Sequence, residues 1–258
     1  MKIAVLVKQV PDTWGDRHLS QETGLLIRDE DSSVPDEIGE RALEHALRHK
    51  DANPDTEVVL VTMGPEMAES ALRKLLALGP DSAVQVTDPS LGGADVVATA
   101  KVLAATLRRI QPDLVLAGNE STDGRGGLVP AMIGEINQMP VLPGLDSVEL
   151  ADGEVSGTAS ADGVELALRA TLPAIVTITE KSAEQRLPNF KGVLSAKKKP
   201  LEQLSLAELD CGDVAQTGAR TVMVAASKRP PKQAGPRIPD DGTAAAQLAG
   251  FLRDRRLI

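Results

Sequence analysis

Cysteine is almost missing from this chain: Cys211 stands alone among 258 residues. That excludes an internal disulfide and any multi-cysteine metal or iron–sulfur centre. Aromatic residues are nearly absent too, with Trp14, Phe190, Phe251 and no tyrosine. The core must therefore be aliphatic, and stacking on nucleic-acid bases has little to work with. Positive charge is in deficit, at a formal net charge of −9, which argues against a general nucleic-acid binder. No apolar run reaches bilayer-spanning length, so membrane insertion is not expected. The start, Met1-Lys-Ile-Ala-Val-Leu-Val-Lys, has no small-residue cleavage site and reads as a strand rather than a signal peptide, with a cytoplasmic location as the default.

Catalytic signatures are scarce as well. The histidines are His18, His45 and His49. His45 and His49 are four apart on a helical pattern, but no His-Glu-x-x-His context surrounds them, so a solvated helix face is the simpler reading. There is no Gly-x-Ser-x-Gly elbow, and Cys211 lies in a polar tail segment, so no nucleophile–base pair emerges.

What is present is an alternation. Apolar β-type runs occur at 3–7, 58–63, 83–86, 114–117 and 174–178, with helical patterns at 36–48, 67–78 and 95–110. Pro65 is placed as a first helical residue before 67–78. Strands alternating with helices of this length predict an α/β fold: an open, mainly parallel sheet flanked by helices. From Pro140 the pattern changes to short strands at 148–150, 154–155, 158–160 and 164–169, punctuated by Asp152-Gly153 and Asp162-Gly163. Asp-Gly is a hairpin signal, so a small antiparallel extension is expected. Residues 1–200 read as the α/β domain. Residues 201–258, mostly polar and proline-rich near 230–239, read as either a mobile linker or an extended C-terminal arm that packs on a partner, closing with a short helical pattern from Thr243 to about Arg256.

The most informative stretch follows the 114–117 run: Gly118, Asn119, Glu120, Ser121, Thr122, Asp123, Gly124, Arg125, Gly126, Gly127, Leu128 and Val129. Backbone N–H groups from Ser121 to Gly127, with hydroxyls and the Arg125 charge, form a plausible phosphate cradle at a helix N-terminus. It sits at the carboxyl end of a strand, where open α/β sheets bind ligands. It is neither a Walker loop nor a Rossmann Gly-x-Gly-x-x-Gly, since Lys8-Gln-Val-Pro-Asp-Thr after the first strand carries no glycine. An ordinary glycine-rich turn is the competing reading. Phe190 is a second candidate: either a core residue, or an exposed anchor for a partner's pocket, given its polar and turn-forming neighbours and the adjacent Val193 and Leu194. The Lys197–Lys199 run is read as a solvated face.

Several separate motifs, in order and nearly end to end, resemble the beta subunit of electron-transfer flavoproteins. They are Lys8-Gln-Val-Pro-Asp-Thr, the segment Asp36 to Leu47, Met63-Gly-Pro, Ala77 to Ala83, the loop Gly118–Val129, Leu172-Pro-Ala-Ile-Val-Thr, Arg186, and Phe190 to Pro200. The Ser121-Thr-Asp-Gly-Arg form is similar to the actinobacterial branch. The resemblance implies an open sheet of the adenine-nucleotide-binding type, a non-catalytic electron-carrier subunit, AMP bound in this chain, and FAD shared with or held mainly by an alpha subunit in a heterodimer. It implies AMP contacts from Leu6, Asp36, Glu37, Ile38, Gly39, Met63 and the Gly118–Val129 loop. It further implies a recognition loop, Arg186–Lys199, in which Arg186, Phe190, Lys191, Gly192, Val193 and Leu194 meet the partner. Acyl-CoA or other flavin dehydrogenases are the implied donors and a membrane quinone oxidoreductase the implied acceptor. Two alternatives stay open: a bifurcating-type subunit with FAD in the AMP pocket, and a stand-alone nucleotide-binding stress-type module. A nucleotide-hydrolysing enzyme finds little in the sequence to support it, because no carboxylate cluster for a metal is apparent. The chain departs from the family pattern at Ala183-Glu-Gln-Arg, at Ser160 and at Gly39.

Overall fold

The computed structural model describes residues 1–151, 153–212, 214 and 219–258. They form two units, Met1–Ala225 and Ala226–Ile258.

In the first unit the chain runs β1 (Lys2–Leu6), β2 (Gln9–Pro11), β3 (Ser33–Pro35), α1 (Glu37–Ala52), β4 (Glu57–Met63), α2 (Ala68–Leu76), β5 (Ser82–Val86), α3 (Val96–Ile110), β6 (Leu114–Gly118) and α4 (Val129–Asn137). It continues through β7 (Val141–Leu145), β8 (Glu149–Ala151), β9 (Glu154–Ala161), β10 (Val164–Thr171), β11 (Ala174–Ile178), α5 (Phe190–Ala196) and β12 (Leu201–Leu204). A ten-stranded sheet has the order β10-β9-β7-β11-β6-β1-β4-β5-β12, with β8 paired to β9; β2 and β3 form a separate antiparallel pair. Pairing is parallel from β7 across to β12 and antiparallel among β7, β8, β9 and β10. The fold is therefore α/β, mainly parallel, with an antiparallel extension, as the alternation predicts.

The central strands are apolar throughout because both faces are covered. Ile3 and Val5 face the layer of α1 and α2, with Leu43, Leu47, Leu72 and Leu75. Ala4 faces the opposite layer of α3 and α4, with Val102, Leu107 and Ile133. Helix α1 begins where the Asp36 side chain accepts the Ile38 N–H, and it buries Ile38, Ala42, Leu43, Ala46 and Leu47 along one stripe. Helix α3 begins in the same way, with Asp95 accepting from Ala98 N. From β1 the strands step outward to β4 and β5, then return to β6 on the other side of β1. That reversal opens a crevice at the carboxyl ends of β1 and β6.

The structure departs from the sequence reading in several places. The two short strands expected at 154–155 and 158–160 are the single strand β9. It turns into β10 through Asp162-Gly163, whose φ values of 50° and 78° are the pair a two-residue hairpin turn demands. Asp152 lies outside the described residues. Pro65 does not open α2; it precedes a turn, and its carbonyl accepts from Gln85 Nε2 at 2.7 Å. Strand β12 extends the sheet at β5, and Leu204, Leu206, Leu209 and Cys211 are buried against the α3 layer. The body thus runs past residue 200 to Ala225. Leu201-Glu-Gln-Leu204 hides this in the sequence, since its two leucines are three apart and lack the period-two alternation of a strand. Cys211 is buried rather than placed in a polar tail. The second unit contains one helix among its described residues, α6 (Ala244–Asp254), with Arg255 over the Phe251 ring at 5.3 Å.

Candidate functional site

The crevice is floored by strand ends. Leu6 closes β1, flanked in register by Val61 of β4 and Ala117 of β6, with Met63 and Gly118 ending those two strands. Glycine at 118 is dictated by its neighbours: a Cβ there would stand 2.9 Å from Ile38 Cγ2 and 3.1 Å from the Glu120 carbonyl. Gly39 passes behind the Leu6 carbonyl and Val7 Cα, each 3.7 Å from where its Cβ would be. Ile38 is buried, while Glu37 projects into solvent from the first turn of α1.

The 118–128 loop is held by charge from underneath. Asp36 caps α1 with one carboxylate oxygen, which accepts from Ile38 N at 3.1 Å. Its other oxygen accepts from the Thr122 N–H at 2.6 Å and the Thr122 hydroxyl at 2.8 Å. Asp123 turns inward, its side chain only 1 % exposed, and pairs with Lys8 at 2.8 Å and Arg28 at 2.7 Å. Burial alone would raise the Asp123 carboxyl. The hydrogen bond and charge of Lys8, with Ser121 and Arg28, outweigh burial and bring it down to about 2. Arg17 donates to the Thr122 carbonyl, Arg125 pairs with Glu120 at 2.9 Å, and Asn119 N donates to the Ile178 carbonyl at 2.8 Å.

This network alters the cradle that the sequence suggests. Three of the amides expected to face a phosphate are used within the protein: Thr122 by Asp36, Gly124 by Asp123 at 2.6 Å, and Arg125 by the Ser121 carbonyl at 2.9 Å. Gly126 and Gly127 have no acceptor for their amides among the described residues, and they lead straight into the Leu128 cap and Val129 of α4. Gly127 sits at φ +64°, where a side chain would be strained, and the Gly126 Cβ position lies 3.8 Å from Val96 at the start of α3. Within the loop one polar atom is left over: Asn119 Oδ1 is buried and accepts nothing, and Gln9 Oε1, next to Lys8, is likewise buried without a donor. A buried acceptor without a donor is costly, so the site fits a ligand that carries a hydroxyl or amino hydrogen beside an anionic group. Lys8, Arg17 and Arg28 escaped the sequence reading. Lys8 directly follows an apolar run, which places it at a strand's carboxyl end; Arg17 and Arg28 sit in a polar stretch without periodicity and carry no such signal.

The second set of candidates is assembled elsewhere, on the outer side of α1 and α2. Residues 190–196 form α5 rather than a loop, because Asn189 accepts the Gly192 N–H at 2.7 Å and caps it. Gly192 lies so close to α2 that a Cβ would stand 2.2 Å from the Ala77 carbonyl. Arg73 donates to the carbonyls of Ala196 and Lys199 at 3.1 and 2.9 Å, and Lys199 Nζ reaches Leu76 and Pro80 carbonyls at 3.0 and 2.5 Å. Phe190 stands 81 % exposed, with Leu187, Val193 and Leu194 also exposed and Lys191 beside them. Arg186 belongs to a different geometry. Its guanidinium is engaged by Glu44 and Asp51.

His45 is not fully solvated. It is half-buried against the Ser182 hydroxyl, and burial pushes its pKa below the ordinary value. Among the described residues, no three His, Cys, Asp or Glu side chains are grouped to hold a metal ion, and no helix is long and apolar enough to cross a membrane.

Fold and crevice together define a class: a doubly wound α/β protein with a glycine-lined opening at its switch point. Residues 23–209 match the electron transfer flavoprotein domain. Over 263 aligned residues the chain is 41 % identical to the electron transfer flavoprotein subunit beta of Mycobacterium tuberculosis and to that of Mycobacterium leprae, covering 99 % of this chain and 99 % of each relative. It is 34 % identical to the caffeyl-CoA reductase-Etf complex subunit CarD of Acetobacterium woodii, over 98 % of this chain and 96 % of that protein. The chain belongs to the electron transfer flavoprotein family, in the line of its beta subunits, and its work is electron transfer.

Proposed function

We propose that this chain is the beta subunit of a cytoplasmic heterodimeric electron-transfer flavoprotein that holds AMP in the crevice as a structural ligand. In this reading Asn119 Oδ1 accepts a ribose or adenine hydrogen, Gly126, Gly127 and the start of α4 receive the phosphate, and Leu6, Ile38 and Met63 line the base. The observation that carries it is the buried, unpartnered Asn119 Oδ1 in a loop whose other inward-facing polar groups are paired. A ligand that binds only the folded state adds stability by mass action and needs no catalytic group from the protein.

FAD, held mainly by an alpha subunit, supplies the redox chemistry. This chain helps enclose it, and the segment beyond Ala225 with α6 lies on that subunit as an arm. Helix α5 docks a flavin dehydrogenase through Phe190, and electrons pass on to a membrane quinone oxidoreductase or a similar acceptor. An exposed aromatic ringed by Leu187, Val193 and Leu194 suits a pocket on another protein.

The test is reconstitution with the flavin-bearing partner. Phe190→Ala should leave heterodimer formation and AMP content intact while electron uptake from an acyl-CoA dehydrogenase falls about tenfold, a loss typical of an interface anchor. Equal rates for variant and parent would remove the docking role. Two flavins per heterodimer, with no AMP, would assign FAD to the crevice instead.

A further inference from the structure

Arg186 precedes the docking helix by three residues, Leu187, Pro188 and Asn189. Its guanidinium Nε donates to Glu44 Oε2 at 2.8 Å and its Nη2 to Glu44 Oε1 at 3.2 Å, while its own backbone N–H also reaches Glu44 Oε2, at 3.1 Å. Nη2 donates to Asp51 as well, at 2.8 Å. Glu44 is itself buried on α1, and Arg48 holds its Oε1 from the next turn at 2.9 Å. Burial would raise the Glu44 carboxyl, but the hydrogen bonds from Arg186 and Arg48 outweigh it and hold it below the ordinary value. A planar two-pronged pair of this kind fixes direction as well as distance. The same stretch of chain is pinned once more upstream, where Arg41 of α1 donates to the Ser182 carbonyl at 2.7 Å.

The consequence is mechanical. The far end of α5 is tied to α2 through Arg73 and Lys199. Phe190 is at the near end, four residues from the Glu44 clamp, and the connection between them is stiffened by Pro188 and by the Asn189 cap. Nε and Nη2 of Arg186 face α1, which leaves only the two N–H groups of Nη1 for a partner protein.

We propose that Arg186 is a positioning residue rather than a contact residue: clamped to Glu44, it sets the direction in which α5 presents Phe190, Val193 and Leu194 to an apolar pocket on the partner. This rests on the docking role given to α5 above. The experiment uses the full heterodimer, with a purified acyl-CoA dehydrogenase as donor, and compares Arg186→Gln, Arg186→Lys, Phe190→Ala and the double variant Arg186→Gln/Phe190→Ala. Flavin and AMP content and heterodimer mass report assembly. Arg186→Gln should raise the KM for the heterodimer about fivefold with kcat little changed, and Arg186→Lys should do nearly the same, because an ammonium cannot reproduce the two-pronged geometry. The double variant should lose less than the product of the two single losses, since direction matters less once the main anchor is removed. Parental KM in Arg186→Lys, or losses that multiply in the double variant, would overturn the proposal by showing that Arg186 meets the partner through its charge. A normal KM in Phe190→Ala would instead sink the docking role of α5 itself.

Discussion

The crevice loop, residues 118–128, and the docking segment, residues 186–196, are both short connections tied to α1 by a buried carboxylate, Asp36 in the first and Glu44 in the second. They differ in what is left over once those ties are made. Around the crevice Asp123 is matched by Lys8 and Arg28 and Asp36 by Ile38 and Thr122, while Asn119 Oδ1 in the loop stays unmatched, as does Gln9 Oε1 beside Lys8. Along the docking segment Arg186 and Asn189 are engaged within the protein, and the outward face carries the apolar Leu187, Phe190, Val193 and Leu194 with Lys191 among them. One leftover suits a small polar ligand and the other suits a protein surface. A single helix thus braces two unlike sites, which should respond to mutation in unlike ways.

The largest effect is expected where backbone packs on backbone. Gly118→Val forces Ile38 and the Glu120 carbonyl apart and should cost about 3 kcal/mol in denaturant unfolding, together with loss of bound nucleotide. Asp36→Ala comes next, at about 2 kcal/mol. It removes the α1 cap, worth about 1 kcal/mol, and strands the Thr122 donors. It should weaken nucleotide retention and leave the KM for a dehydrogenase nearly unchanged. A large KM change in Asp36→Ala would mean that the two sites are not separable.

A third difference is set by pH. Glu40, half-buried on α1 between the two sites, has its carboxyl pushed up to about 7, by burial first, with Gln185 opposing and Asp36 and Glu37 adding to it. A carboxyl raised in the folded state contributes stability that is fully present below its unfolded value near 4.5 and lost as pH rises through about 7. Glu40→Gln should therefore match the parent near pH 4 and exceed it at pH 8 by about 1–2 kcal/mol, a figure already reduced for the solvent that reaches this group. Unfolding curves at the two pH values check this, and an equal gap at both would contradict it. The smallest stability effect belongs to Phe190→Ala, within about 0.5 kcal/mol of the parent, because the ring is exposed; its consequence is confined to electron uptake.

The sheet was legible where apolar runs are continuous, as in β1, β4, β6 and β11, because strands covered on both faces leave that mark. β12 and the short pair β2–β3 were not: β3 and β12 each bury a single position, and β2, though buried, is three residues long and holds Gln9 and Pro11. The loop at 118–128 announced itself through its glycines, but the inward turn of Asp123 did not. It depends on Arg28, 95 residues away in sequence, and Lys8, 115 away, and no local pattern encodes such a meeting. The same holds for Arg186, whose partner Glu44 is 142 residues distant. The polar neighbours of Phe190 leave a core place and an exposed one both open, and the helix beneath it depends on Gly192 reaching Ala77 of the α2 end.

The most direct test is to denature the purified heterodimer and identify every nucleotide released. The account predicts one AMP and one FAD per heterodimer, with the AMP lost in Gly118→Val. Absence of any adenylate other than FAD, or two FAD per heterodimer, would contradict it.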